Sequence, residues 1–179
     1  MSKQRVLIVG FGFMGEMHAQ ALAGIAEAEI VGIVDVVPDA ARQKAARLGL
    51  QAIRAAGWAP DSVGGLTMGA DPVAYAIARA SVEAPPLIHA FSVRKAAKEH
   101  GTLRRVEGNF APGTAVVVIE DVITSGASTL EAIATLGAEG GRVLGVLAVV
   151  DRQQGGREAI ERAGFEVVAF TTTTDLGLR

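Results

Sequence analysis

The chain has no cysteine among its 179 residues. That excludes disulfides, thiolate catalysis and cysteine-ligated metals. Aromatic residues are scarce as well, at 4% with one tryptophan and one tyrosine, so a core must come from Val, Ile, Leu and Ala. Neither sign of charge dominates: 17 Lys plus Arg face 19 Asp plus Glu, a formal net charge of -2. Such a balance gives no reason to expect a nucleic-acid or anionic-membrane partner. Long apolar runs are missing too; the longest, Val143 to Val150, falls far short of a membrane span. The opening Met1-Ser2-Lys3-Gln4-Arg5 leads into a short apolar run ended by glycines, wrongly built for a secretory signal. The expectation is a soluble cytoplasmic protein. No internal repeat or low-complexity segment occurs. Hydrophobic residues make up 50%, enough to fill the core of one ordinary domain.

What is present is an alternation of strand and helix. Val6–Val9 and Ile30–Val34 read as strands, with a helix over Met14–Gly24 between them. Pro38 suits a first helical turn and Gly49 a helix stop, with Gln51–Ala56 prolonging that helix or forming its own. Strands are expected at Ser62–Gly65, Leu87–Phe91, Ala115–Ile119, Val143–Val150 and Glu166–Phe170. Helices are expected at Asp71–Ala80, Ala127–Leu136 and Gly155–Ala163. Phe91–Asn109 reads as a long polar, basic connection, and Thr171–Thr174 as a fraying tail. Continuous apolar strands separated by helices predict an α/β fold: a mostly parallel sheet with helices on both faces, a Rossmann-like three-layer sandwich.

Gly10-Phe11-Gly12-Phe13-Met14-Gly15 is a G-x-G-x-x-G between a strand and a helix. The first glycine allows the tight turn, the second the approach of a pyrophosphate, the third close packing of helix on strand. Asp35 stands at the end of the next strand, where an acid accepts from a ribose 2′-hydroxyl, and no Arg or Lys adjoins it. These features point to NAD rather than NADP. The alternative is a packing turn with Asp35 as a helix cap. Residues 4–50, with His18 and Leu22 in the first helix, resemble the start of the Gfo/Idh/MocA oxidoreductases, and the resemblance implies Gly10, Gly12, Gly15 and Asp35 as cofactor contacts. Members of that family carry a separate substrate domain with a catalytic lysine, for which this length leaves no room.

The second motif is Ala115-Val116-Val117-Val118-Ile119-Glu120-Asp121-Val122-Ile123-Thr124-Ser125-Gly126-Ala127-Ser128. A buried strand delivers two carboxylates, and a turn of hydroxyls and glycine then opens a helix. Hydroxyls, backbone N–H groups and a helix N-terminus together make an anion cradle. The carboxylates suit the vicinal hydroxyls of a sugar whose 5-phosphate lies in that cradle, and leave room for a hydrated Mg²⁺ without direct ligation by the protein. A Walker B acid would be the alternative, but no G-x-x-x-x-G-K-[ST] occurs; a simply capped helix start is the other.

This segment resembles the PRPP-binding motif of type I phosphoribosyltransferases, and its surroundings are similar to the orotate phosphoribosyltransferases. Phe91-Ser92-Val93-Arg94-Lys95-Ala96-Ala97-Lys98-Glu99-His100-Gly101-Thr102 matches their catalytic loop, continued by Val106-Glu107-Gly108. Gly64 to Pro72 matches their pyrophosphate loop, and Val150 to Gly156 the following strand end. The likeness runs over about residues 57–179. It implies that Glu120 and Asp121 hold the ribose hydroxyls, that Thr124, Ser125, Gly126, Ala127 and Ser128 hold the 5-phosphate, and that Met68, Gly69, Ala70 and Asp71 shape the pyrophosphate site. It further implies that Arg94, Lys95, Lys98 and His100 close over the pyrophosphate, partly from a neighbouring subunit of a homodimer, with Lys95, Lys98, His100 and Asp121 the catalytic set. Thr124 and Arg152 would face orotate. The implied reaction joins PRPP and orotate to give orotidine 5′-phosphate and pyrophosphate, with Mg²⁺.

The family's N-terminal hood has no counterpart motif here; the dinucleotide-type segment stands in its place. The two signatures abut near residues 50–57 without a Pro/Gly/Ser linker. The expectation is a single merged α/β domain over 1–179, an engineered chimera. Its 1–50 half would supply strands to one sheet with the 51–179 half. It would bind PRPP and phosphates, with weak or absent orotate transfer. An NAD-binding module and an inactive scaffold are the other readings.

Overall fold

A computed structural model describes residues 4–9, 28–34, 40–95 and 105–177, with side chains over 46–95 and 105–177. Strands β1 (Gln4–Val9) and β2 (Ala28–Val34) pair in parallel as a sheet of their own. Among the described residues these two strands pair only with each other. The glycines Gly10, Gly12 and Gly15, Asp35, and the helix expected over 14–24 lie outside the described residues.

Helix α1 (Ala40–Ala55) follows, then β3 (Ser62–Leu66), α2 (Asp71–Glu83), β4 (His89–Val93) and β5 (Val106–Gly108). The chain continues through β6 (Ala115–Ile123), α3 (Ala127–Ala138), β7 (Arg142–Asp151), α4 (Gly156–Arg162) and β8 (Val167–Thr172). The main sheet has six strands in the order β5-β4-β3-β6-β7-β8. All pairings are parallel except the edge pair β4–β5.

The period of two along the strands sorts side chains into two cores. Val63, Val117, Ile119 and Leu147 face Leu50, Ile53, Ala74 and Ile77 of α1 and α2. Val116, Val118, Val146 and Ala148 face Ala132, Leu136 and Ile160 of α3 and α4. Helices therefore cover both faces, and the expected mostly parallel three-layer α/β fold is what forms. The central strands need β-branched residues buried on both sides, which is why Val116–Ile119 reads as an unbroken apolar run.

Several local expectations change. Gly49 does not stop a helix; it lies inside α1, where a Cβ would meet Ile77 Cγ1 at 2.7 Å, so glycine serves the contact of α1 with α2. Phe91–Asn109 is not one loop. It holds the end of β4 and the short antiparallel strand β5, too brief to show a periodicity. The strand expected at Leu87–Phe91 is displaced to His89–Val93. Thr171–Thr174 does not fray: Thr171 and Thr172 complete β8, and the Thr173 and Thr174 hydroxyls donate to Gln153 Oε1 at 2.8 and 2.6 Å. Among the described residues no helix is long and apolar enough to cross a membrane.

Candidate active site

In a parallel sheet every strand ends on the same edge, and ligands gather there. The turns after β3, β4, β6 and β7 are therefore neighbours by topology. Register makes this concrete: Leu66 aligns with Val93, and Ile123 with Asp151.

Strand β6 carries its acid pair to that edge, and alternation divides the two. Glu120 shares the face of Val116 and Val118, and so meets α3. It is 8% exposed, and its Oε2 accepts from the Ser128 hydroxyl at 2.8 Å and the Thr129 hydroxyl at 2.7 Å. Asp121 shares the face of Val117 and Ile119. Its carboxylate lies against Gly69, so close that a Cβ there would come within 2.5 Å of Oδ2. The turn after β3 and the acid end of β6 are thus in contact, and only glycine fits between them. Asp121 Oδ1 also accepts the Val122 N–H at 2.8 Å. Burial pushes the Glu120 carboxyl above the ordinary carboxylate range; the Asp121 charge adds to this, while the two hydroxyls oppose it.

Thr124, Ser125 and Gly126 form the turn into α3. Gly126 has φ 78, a left-handed conformation that glycine adopts without cost. The first helical acceptor is its carbonyl, which takes the Leu130 N–H at 2.9 Å. The N–H groups of Ala127, Ser128 and Thr129 therefore have no acceptor within the helix and point out of its N-terminus. Ala127 N–H approaches Ser125 Oγ at 3.4 Å. Ser128 spends its hydroxyl proton on Glu120, so what it offers an anion in this arrangement is its backbone N–H.

The remaining expected residues fall as follows. Met68 is 81% exposed, and Ala70 is buried beneath α2. Asp71 opens α2, and its Oδ1 accepts from the Ser92 hydroxyl of β4 at 2.8 Å. Arg94 donates from Nη1 to Glu107 Oε1 at 3.1 Å, and Lys95 is exposed just after it. Lys98 and His100 lie outside the described residues. Arg152 is exposed, and its N–H donates to Ile123 O at 2.9 Å, which sets the start of its loop beside Thr124.

Sequence reasoning missed two supports. Thr129 is buried and holds Glu120, yet nothing marks it in a helix start already rich in hydroxyls. Asp151, 2% exposed, accepts from Arg157 Nε at 2.7 Å and from the Gln153 N–H at 2.8 Å. Arg157 reaches on to the Val167 carbonyl at 2.9 Å. The acid at the end of β7 was legible; its partner six residues on was not.

A three-layer sheet with paired acids on a central strand and a hydroxyl–glycine turn at a helix mouth defines a phosphoribosyltransferase-type domain. Comparison with known proteins sharpens this. An orotate phosphoribosyltransferase of Corynebacterium glutamicum (strain R) is 45% identical over 147 residues, 81% of this chain and 78% of that protein. The chain belongs to the orotate phosphoribosyltransferase family. The orotate phosphoribosyltransferase of Aquifex aeolicus (strain VF5) is 48% identical over 117 residues, and there the chain spans only 64% of the relative's length. The crystal structure of Mycobacterium tuberculosis H37Rv orotate phosphoribosyltransferase in complex with PRPP has a TM-score of 0.65 and 40% identity, covering 77% of this chain and 76% of that one. No family model matches the chain. The Corynebacterium match is longer than the stretch from 57 to 179, so family similarity begins upstream of the expected boundary at 50–57.

Proposed function

We propose that this chain binds PRPP at the C-terminal edge of β6 and transfers its phosphoribosyl group to orotate. The observation that carries the reading is the division of the acid pair: Glu120 is tied to the first turn of α3, and Asp121 is set against the turn after β3. Two loops suited to the two ends of one ligand are thereby joined by adjacent residues. The 5-phosphate would sit over the N–H groups of Ala127, Ser128 and Thr129, with Thr124 and Ser125 around it. The ribose hydroxyls would donate to Glu120 and Asp121. The pyrophosphate would lie along Met68–Asp71, and Thr124 with Arg152 would meet the base. Arg94, Lys95, Lys98 and His100 would surround the leaving pyrophosphate, where charge builds as the glycosidic bond breaks, so cations there favour the transition state over the ground state. Glu120 and Asp121 would hold a hydrated Mg²⁺ brought by PRPP, and the chemistry it would supply is neutralisation of the diphosphate charge. The PRPP complex of the Mycobacterium tuberculosis relative supports this choice of ligand.

For the N-terminal part, our reading is a dinucleotide-type segment fused to this domain, an engineered chimera; the parallel β1–β2 pair is the strand pairing such a segment would have. In this reading the fusion displaces the family's hood and slows transfer, leaving PRPP binding intact. NAD at Gly10, Gly12, Gly15 and Asp35 is the ligand of the alternative. A homodimer and a cytoplasmic setting complete the proposal.

Thermal shift separates the readings. Mg²⁺–PRPP at about 100 times its Kd should stabilise the fold by roughly 2.7 kcal/mol. NAD should do so only under the alternative, and no shift with either ligand would refute both. Asp121→Asn keeps the acceptor for the Val122 N–H, so Tm should hold while PRPP affinity falls roughly 10- to 100-fold, as for the loss of a charged hydrogen bond. Orotate consumption with PRPP tests the transfer itself.

A further inference from the structure

Arg105, just before β5, makes five hydrogen bonds that converge on one place. Its carbonyl accepts the Arg94 N–H at 2.8 Å. Its Nε donates to Arg94 O, and its Nη2 to Lys95 O, both at 3.0 Å. The same Nη2 donates to Glu131 Oε1 at 2.5 Å, and its backbone N–H donates to Glu139 Oε1 at 3.0 Å. One residue thus fastens the chain leaving β4 to the chain entering β5, and fastens both to α3. The first turn of α3 carries the hydroxyl–glycine turn of the proposed phosphate cradle.

We infer that Arg105 is a positioning residue that fixes Arg94 and Lys95 relative to α3, and so sets where their charges meet pyrophosphate. The inference rests on the phosphoribosyl-transfer reading above. The Glu131 ion pair is part exposed and would count for little alone. What distinguishes Arg105 is the planar guanidinium, whose donors reach two backbone carbonyls and a carboxylate at once. A lysine ammonium, a single point of charge, can keep the carboxylate but not that whole set.

Calorimetry with inorganic pyrophosphate and with ribose 5-phosphate tests this on wild type, Arg105→Ala and Arg105→Lys. Arg105→Ala should weaken pyrophosphate binding roughly tenfold, the loss of about one such hydrogen-bonding arrangement, with ribose 5-phosphate binding unchanged. Arg105→Lys should fall between wild type and alanine. In turnover, kcat should drop with KM for orotate held. Equal pyrophosphate affinity in wild type and Arg105→Ala would overturn the inference, as would parallel loss of both ligands with a lowered Tm, which is what a merely structural role gives. If the wild type transfers nothing, the transferase reading fails, and the inference is then decided by amide exchange at Arg94. Exchange accelerated about tenfold in Arg105→Ala supports it, and unchanged exchange overturns it.

Discussion

Glu120 has been taken out of water and set beside a second carboxylate. A carboxyl whose folded pKa lies above its unfolded value holds its proton more tightly in the native state, so it stabilises the fold at low pH and loses that contribution as pH rises through the raised value. Glu120→Gln removes the ionisation, while its amide oxygen can still accept from Ser128 and Thr129. The stability of Glu120→Gln relative to wild type should therefore increase as pH climbs from the ordinary carboxylate range towards neutrality. Urea denaturation of both proteins across that range measures the difference, and parallel curves would refute the assignment. Gly126 makes a second residue-scale case. Its φ of 78 disfavours any side chain, and a Cβ there would stand 2.8 Å from Gly156 O. Gly126→Ala should cost about 1–3 kcal/mol and weaken phosphate binding, both read in one ligand-dependent melting experiment.

Among the elements, α4 is short, and its first turn owes its place to the end of β7. Asp151 is almost fully buried, and Arg157 pairs with it while donating to Val167 O of β8. Removing the cation leaves a buried carboxylate without its charge partner, which is costlier than never having had the pair. Arg157→Leu should destabilise the protein by about 3 kcal/mol in urea, within the range for broken buried pairs. A loss below about 1 kcal/mol would mean that the Gln153 N–H and solvent suffice for Asp151. The same variant should loosen the β7–α4 turn and raise KM for orotate, because Arg152 lies in that turn.

Across the whole molecule, β6 and β7 are inner strands covered on both faces, while β5 is a three-residue antiparallel edge. Native-state hydrogen exchange should find the slowest amides in β6 and β7 and the fastest strand amides in β5; equal protection of β5 would contradict that order. Much of this was legible in the sequence, because burial on both faces demands unbroken runs such as Val116–Ile119, and because the turn into α3 carries its hydroxyls and glycine in consecutive positions. The acid pair, the turn Thr124–Ser128 and the three-layer architecture could be read for that local reason. Strand β5, the burial of Glu120 under Thr129, the contact of Asp121 with Gly69 and the Asp151–Arg157 pair could not. Each joins residues far apart in the chain, or residues whose local pattern carries no signal. Sheet membership was likewise decided in three dimensions: β1 and β2 have the apolar pattern of inner strands, yet among the described residues they pair only with each other. Strand β5 and the bounds of β4 aside, sequence determined which described segments become strands and helices and which residues could bear chemistry, since those depend on near neighbours. Tertiary structure alone decided strand order and which side chains meet, because those depend on the competition of long-range pairings for the same buried space.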